Sequence, residues 1–159
     1  ELTTAGNIPK PIQTGFEMLA KLESQRIKVT PSKIEGNLGI LATKSMDNDV
    51  ACIAYNYEES DNDLKANTVL KLIISGLEVG AKYSIIETAM DRENNNTFRE
   101  WERIKRPSSS ENVDLSSLKD AATLSPTIKY LLRTNKEGKL YLKLNLENHS
   151  MKFLKIVKI

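Results

Sequence analysis

The sequence predicts a mainly β fold: an antiparallel β-sandwich, fibronectin type III or immunoglobulin-like, with about eight strands. From Gln25 onwards, short runs rich in β-branched and aromatic residues recur between turn residues. No βαβ unit repeats along the chain, which argues against a parallel sheet. One N-terminal helix precedes the strands and a short helical insertion interrupts them. A chain of 159 residues suffices for one domain with a short appendage.

The N-terminal helix is predicted from Pro11 to about Glu23, because proline suits the first helical turn. Its apolar stripe recurs at helical spacing and consists of Ile12, Phe16, Leu19 and Leu22. Such a stripe needs a covering partner, either the sandwich or a domain on the N-terminal side. Since Glu1 is not an initiator methionine, we expect the protein to extend upstream.

The strands are predicted from alternating or continuous apolar runs. They are Arg26–Val29, Gly39–Thr43, Val50–Tyr57, Thr68–Ile74, Lys82–Met90, Ile128–Thr134, Leu140–Leu146 and Met151–Val157. Three turns have suitable residues: Met46–Asp49 and Asn135–Gly138 are hairpin-like, and Gly76–Gly80 forms a tight connector.

A polar insertion at about residues 91–126 interrupts the β pattern. It contains two helical patches, Thr97–Ile104 and Leu115–Ala122, and Asp114 is a candidate N-cap for the second. Long ordered insertions in small domains often contact a ligand or another domain. The insertion is therefore the first place to search for a binding site.

The sequence offers no obvious nucleophile, metal site or cofactor site. Most serine and cysteine nucleophiles need a histidine, and the single one, His149, lies in a polar turn. The single cysteine, Cys52, lies in an apolar run, so we expect a small buried hydrophobe. One cysteine excludes an intrachain disulfide and a multi-cysteine zinc site.

Acidic clusters are relevant because two carboxylates suffice for glycoside hydrolysis. Glu100 and Glu102 flank Trp101 on a predicted helix, and a loop before the fourth strand carries Glu58, Glu59, Asp61 and Asp63. A weak calcium site in that loop is an alternative to a solvated loop, although the glycine of an EF-hand loop is absent. We predict no catalytic residue and no metal site.

Charge and hydropathy argue against nucleic-acid and membrane partners. The net charge is +2, and no apolar run approaches the roughly 20 residues of a membrane span. The lysines near the C-terminus alternate with apolar residues, without aromatic residues placed for base stacking: Lys139, Lys143, Lys152, Lys155 and Lys158.

The insertion supplies the binding candidates Asn94, Asn96, Phe98 and Trp101. Trp101 is the only tryptophan, and a flat aromatic face suits contact with a sugar or a neighbouring domain. The alternative is that Trp101 and Phe98 anchor the insertion onto the sandwich.

The run Asp91–Pro107 resembles the C-terminal region of glycoside hydrolase family 39, which includes β-xylosidases and α-L-iduronidase. The positions that match in register are Asp91, Asn96, Phe98, Trp101, Ile104 and Pro107. Asn94 replaces a histidine of the family pattern and Lys105 a glycine, so the resemblance is to a divergent member. Ile8–Pro11 is similar to the start of the last barrel helix, and Tyr55-Asn56 to a pair in an early sandwich strand.

The resemblance implies that residues 1–24 hold the terminal helix of an upstream catalytic (β/α)8 barrel and residues 25–159 the sandwich. The family's catalytic glutamates lie on that barrel, so none is implied here. The implied role is a non-catalytic accessory domain of a secreted or periplasmic β-xylosidase-like enzyme, partnered by the barrel and, as a second candidate, by an oligosaccharide. The rivals are a carbohydrate-binding module using Trp101, Tyr55 or Tyr57, and a protein-interaction sandwich.

Overall fold

A computed structural model describes residues 7–31, 37–57, 67–107 and 115–159. Their elements are, in order, α1 Pro11–Ala20, β1 Gln25–Arg26, β2 Leu38–Lys44, β3 Val50–Asn56, β4 Asn67–Ile74, β5 Lys82–Met90, α2 Thr97–Arg103, α3 Ser116–Ala122, β6 Ile128–Arg133, β7 Leu140–Glu147 and β8 Ser150–Lys158. The predicted antiparallel sandwich with an N-terminal helix and a helical insertion is confirmed.

The strands divide unequally between two sheets. Six form one sheet in the order β1-β2-β3-β8-β5-β6, and β4 pairs with β7 in the other, with every described pairing antiparallel. Met46–Asp49 closes the β2–β3 hairpin as predicted. The hairpin predicted at Asn135–Gly138 is wrong in one respect. The turn is tight, with Gly138 N donating to Asn135 O at 3.1 Å, but it joins β6 of one sheet to β7 of the other.

The interior between the sheets is one hydrophobic core. Strand β3 sends Val50, Cys52 and Ala54 into it, and these pack with the inward leucines of β7, which are Leu140, Leu142, Leu144 and Leu146. Each of those leucines is at most 5% exposed, whereas the residues between them face solvent. The predicted half-buried strand is therefore confirmed.

Helix α1 packs on the outer face of the six-stranded sheet. Met18 is fully buried there in a second cluster with Ile53 and Phe153, and Leu22 packs against the same cluster. The helix ends at Ala20, so the predicted end at Glu23 is wrong. Leu22 N donates to Leu19 O at 3.2 Å, which is a tighter turn than that of an α-helix. Glu23 N donates to Thr43 Oγ1 of β2 at 2.8 Å, so the chain leaves the helix there and joins the sheet.

Strand β1 also differs from the prediction of Arg26–Val29. Only Gln25 and Arg26 pair with β2, and Ile27 N adds one hydrogen bond to Ala42 O at 3.0 Å. Val29 is 40% exposed and has left the sheet edge. The other boundaries agree with prediction to within one residue. Asp114 lies outside the described residues, and Leu115 occupies the N-cap of α3 without a side-chain hydrogen bond.

Candidate functional site

Asparagine side chains close the insertion between β5 and β6. Asn95 Nδ2 donates to Ala89 O at 2.6 Å and to Ser125 O at 3.0 Å, and its Oδ1 accepts from Ser125 N at 2.9 Å. Its φ is 49°, a left-handed conformation that asparagine tolerates better than most residues. Asn95 therefore fastens the start of the insertion to its end.

The predicted binding residues Asn94 and Asn96 lie in the same turn and use their amides inside it. Asn94 Nδ2 donates to Asp91 Oδ1 at 2.9 Å, and Asn96 Nδ2 donates to Asp91 O at 2.9 Å. Asn96 Oδ1 also accepts from Arg99 N at 3.2 Å, which makes Asn96 the N-cap of α2. The turn thus fixes the position where α2 begins. Ligand binding by Asn94 and Asn96 stays a prediction.

Helix α2 brings Phe98 and Trp101 together, with ring centroids 5.6 Å apart. Trp101 Nε1 donates to Pro107 O at 3.2 Å, and the guanidinium carbon of Arg106 lies 5.7 Å from the indole centroid. Arg106 therefore covers one face of the indole. Phe98 is 54% exposed and is the more accessible ring of the pair. Whether either ring contacts a sugar or a domain stays a prediction.

The carboxylates of α2 are ion-paired with arginines. Glu102 accepts from Arg99 Nη1 at 2.8 Å and from Arg106, while Arg103 donates to Glu100 at 3.2 Å and to Glu93 at 2.6 Å. The hydrogen bonds from Arg99 and then Arg106 hold the pKa of Glu102 below its usual range. A general acid for glycoside hydrolysis needs a raised pKa, so this arrangement does not suit that chemistry.

The acidic loop cluster of Glu58, Glu59, Asp61 and Asp63 lies outside the described residues. Within the described ranges, no group of three or more His, Cys, Asp or Glu side chains could hold a metal ion. Among the helices of the same ranges, none has the length and apolar character needed to cross a membrane.

Thr97 ties the insertion to the segment before α1, a contact that sequence reasoning missed. Its side chain is buried, and Oγ1 donates to Pro9 O at 2.8 Å across 88 positions of sequence. No local pattern distinguishes this threonine from other helix-start residues. The start of α2 is thereby held beside the start of α1.

The predicted apolar stripe of α1 separates into two groups. Leu22 packs on the sheet, but Ile12, Phe16 and Leu19 are 57%, 52% and 42% exposed. We call these three residues the α1 stripe. The sheet covers a different face of the helix, made by Thr14, Gly15 and Met18. The sandwich therefore does not cover the stripe that the sequence singled out.

Cys52 lies in the core as expected. Burial, with a smaller contribution from the Glu87 carboxylate, raises the pKa of its thiol to about 12. The thiolate is the reactive form, and at pH 8 its fraction is on the order of one in ten thousand for such a pKa.

We therefore expect Cys52 of the folded protein to resist Ellman's reagent at pH 8 and to react at the rate of unfolding. Because the folded-state pKa is raised above 9.0, the protonated thiol stabilises the fold below that value. That stability is lost as pH rises from 9 towards 12. Urea-unfolded protein is the control, and rapid labelling of the native protein would contradict the expectation.

His149 lies in the β7–β8 turn, where its ring meets Tyr57 edge-on with centroids 5.7 Å apart. Tyr55 crosses over Gly39 of β2, so closely that a Cβ on that glycine would collide with the ring. Both tyrosines are thus in contact with neighbouring residues, and whether either one binds a sugar stays a prediction.

The fold defines a β-sandwich domain that carries a helix on one outer face and a tryptophan-bearing helical insertion. The family model described as "Glycosyl hydrolases family 39" matches residues 1–141, and the chain belongs to that family. This confirms the resemblance that the insertion indicated. The strands and helices of the described residues match the C-terminal sandwich domain of the family.

Solved structures agree with this assignment. The chain superposes on the GH39 enzyme from Xanthomonas axonopodis pv. citri with a TM-score of 0.78 and 14% identity, over 99% of this chain and 32% of that one. A monomeric β-xylosidase from Caulobacter crescentus gives 0.76 and 15% over 98% and 32%. A bacterial orthologue of human α-L-iduronidase gives 0.77 and 22% over 94% and 27%. A search of curated proteins found no match.

The chain thus spans about a third of the length of the solved structures it matches. It is a domain related to glycosidases. The activities named for the matched structures are those of the whole enzymes, and this chain corresponds to only part of each.

Proposed function

We propose that this chain is a non-catalytic accessory sandwich of a β-xylosidase-like glycoside hydrolase and packs against the catalytic (β/α)8 barrel of its parent protein. The observation that carries this is the α1 stripe, three large apolar side chains exposed on a helix whose other face is already buried. An apolar patch of this kind marks an interaction surface. The substrate of the parent would be xylo-oligosaccharides or related glycosides.

The insertion supports the same proposal. Thr97 holds α2 beside the start of α1, so Phe98, also exposed, lies on an element fastened to the helix that carries the stripe. The carboxylates of α2 are ion-paired with arginines. In this proposal, glycoside hydrolysis is therefore carried out by the catalytic barrel.

A first experiment assays this chain on aryl β-xylosides and titrates it with neutral xylo-oligosaccharides. We expect no turnover and no saturable heat, since a supporting domain needs neither. Turnover that disappears when one of its own carboxylates is replaced would overturn the proposal.

A second experiment tests the stripe in the protein encoded by the complete gene. Phe16→Glu should place a charge in the domain interface, where loss of a buried anchor costs about 2 kcal/mol or more. We expect a lower temperature of half-inactivation of the glycosidase, measured as residual activity after heating.

Ile73→Glu is the matched control. Ile73 is 60% exposed on β4, on the far side of the sandwich from α1. We expect this variant to inactivate like the unsubstituted enzyme. Equal temperatures of half-inactivation for the Phe16 and Ile73 variants would contradict packing of the α1 stripe against the barrel.

A further inference from the structure

The solvent side of the two-stranded sheet is a second exposed surface, opposite α1. Strands β4 and β7 turn their leucines into the core and leave alternate residues exposed. In register, Val69 lies opposite Asn145, Lys71 opposite Lys143, and Ile73 opposite Tyr141. We call these six residues the lysine face.

The ion pairing of the C-terminal lysines distinguishes this face. Lys143 is one of five lysines that alternate with apolar residues, and the other four have acidic partners. The pairs are Lys139–Glu137, Lys152–Glu87, Lys155–Glu23 with Lys155–Asp49, and Lys158–Glu78. Among the described residues, Lys143 has no acidic partner and instead faces Lys71, which has none either.

Two lysines directly opposite each other on one face are unfavourable for the fold, since their Cβ atoms lie only about 5 Å apart. The strand pair would be more stable with one of them neutral or acidic. An anion bound between the ammonium groups removes this repulsion and gains charge-assisted hydrogen bonds. The pair thus has the charge complementary to a carboxylate.

The neighbours of the pair indicate the rest of the ligand. Tyr141 is 58% exposed and offers a flat ring with a polar tip, which suits a sugar ring. Asn145, exposed on the other side of Lys143 along β7, can donate to and accept from hydroxyl groups. A carboxylate flanked by sugar rings suits the lysine pair, Tyr141 and Asn145 together.

We propose that the lysine face binds a polysaccharide that carries uronic-acid carboxylates, with Lys71 and Lys143 holding one carboxylate. The choice of a glycan rests on the proposed function, because family membership is what favours a sugar polymer over other polyanions. The charge pair and its register do not depend on it.

The test titrates this chain with glucuronoxylan and with the same polymer after its carboxyl groups have been reduced to alcohols. We expect saturable binding of the acidic polymer that weakens with salt, and at least about tenfold weaker binding of the reduced one. Lys71→Gln/Lys143→Gln should weaken binding of the acidic polymer by at least about tenfold.

Lys82→Gln/Lys129→Gln is the matched control, because it removes two exposed strand lysines from the six-stranded sheet. This control should bind glucuronoxylan as the unsubstituted chain does. The melting temperature of the Lys71/Lys143 variant should be unchanged or higher, since the substitutions remove a repulsive pair, so lost binding cannot be attributed to unfolding.

Equal binding of the two polymers, or equal weakening by the two double variants, would overturn the proposal. So would binding of single-stranded DNA as tight as that of glucuronoxylan, which would show a general polyanion surface. The two proposals can fail separately. Loss of the glycan proposal would not change the expected heat inactivation of the Phe16→Glu enzyme, and a stable Phe16→Glu enzyme would not change the expected dependence of glycan binding on Lys71 and Lys143.

Discussion

Replacing Lys152 with methionine is expected to lower the free energy of unfolding by about 3 kcal/mol, because it leaves a carboxylate uncompensated inside the sandwich. Glu87 is 4% exposed, and Lys152 Nζ lies 3.4 Å from its Oε2. The other carboxylate oxygen accepts from Tyr130 at 3.1 Å. Burial and then the charge of Glu87 raise the pKa of Tyr130, so the phenol stays protonated and cannot replace the lysine charge.

A double-mutant cycle measured by urea denaturation checks this expectation. Glu87→Gln/Lys152→Met removes both charges and keeps an acceptor for Tyr130, so it should recover most of the loss. If the double variant were no more stable than Lys152→Met, the cost would come from lost packing of the lysine stem and not from an unpaired charge.

Gly138→Ala is expected to cost at least about 3 kcal/mol, because it combines left-handed backbone strain with a steric collision. Gly138 has a φ of 67°, and a Cβ there would lie under 3.0 Å from the backbone oxygen of Leu77. Leu77 N in turn donates to Gly138 O at 3.1 Å. The glycine therefore holds the β6–β7 connection against the β4–β5 connection, and each of these two connections leads from one sheet to the other.

Gly80→Ala separates the two causes. Gly80 has a φ of 72°, and its added Cβ would meet no atom within 4 Å. It should cost only the left-handed backbone strain, about 1 kcal/mol. Denaturation midpoints that agree between the two variants would mean that the connections move apart easily and that the close approach at Leu77 is not essential.

The binding candidates show how far local sequence reasoning reaches. It selects Asn94, Asn96, Phe98 and Trp101, and the structure brings all four into one turn and helix. It does not select Asn95, whose positive φ and closing hydrogen bonds depend on Ser125 thirty positions away. The asparagine-rich run is evident in the sequence, but the residue that spans the insertion cannot be distinguished there from its neighbours.

The lysine face could not have been inferred from sequence either. The alternation in Leu140–Leu146 predicts which residues of β7 face solvent, and this is confirmed. That Lys143 faces another lysine depends on β7 pairing with β4 and on the register of that pairing. The neighbour of Lys143 and the ionic partner of Lys152 both come from strands far away in the chain.

By itself, the sequence determined the periodicity of most elements, where the tight turns lie, the family and the burial of Cys52, because backbone preference and side-chain alternation act over a few residues. Only the tertiary structure decided that β4 and β7 leave the large sheet, that the α1 stripe faces away from the sandwich, and which charges meet. Those outcomes depend on which surfaces can be buried together, and that is a property of the whole folded chain.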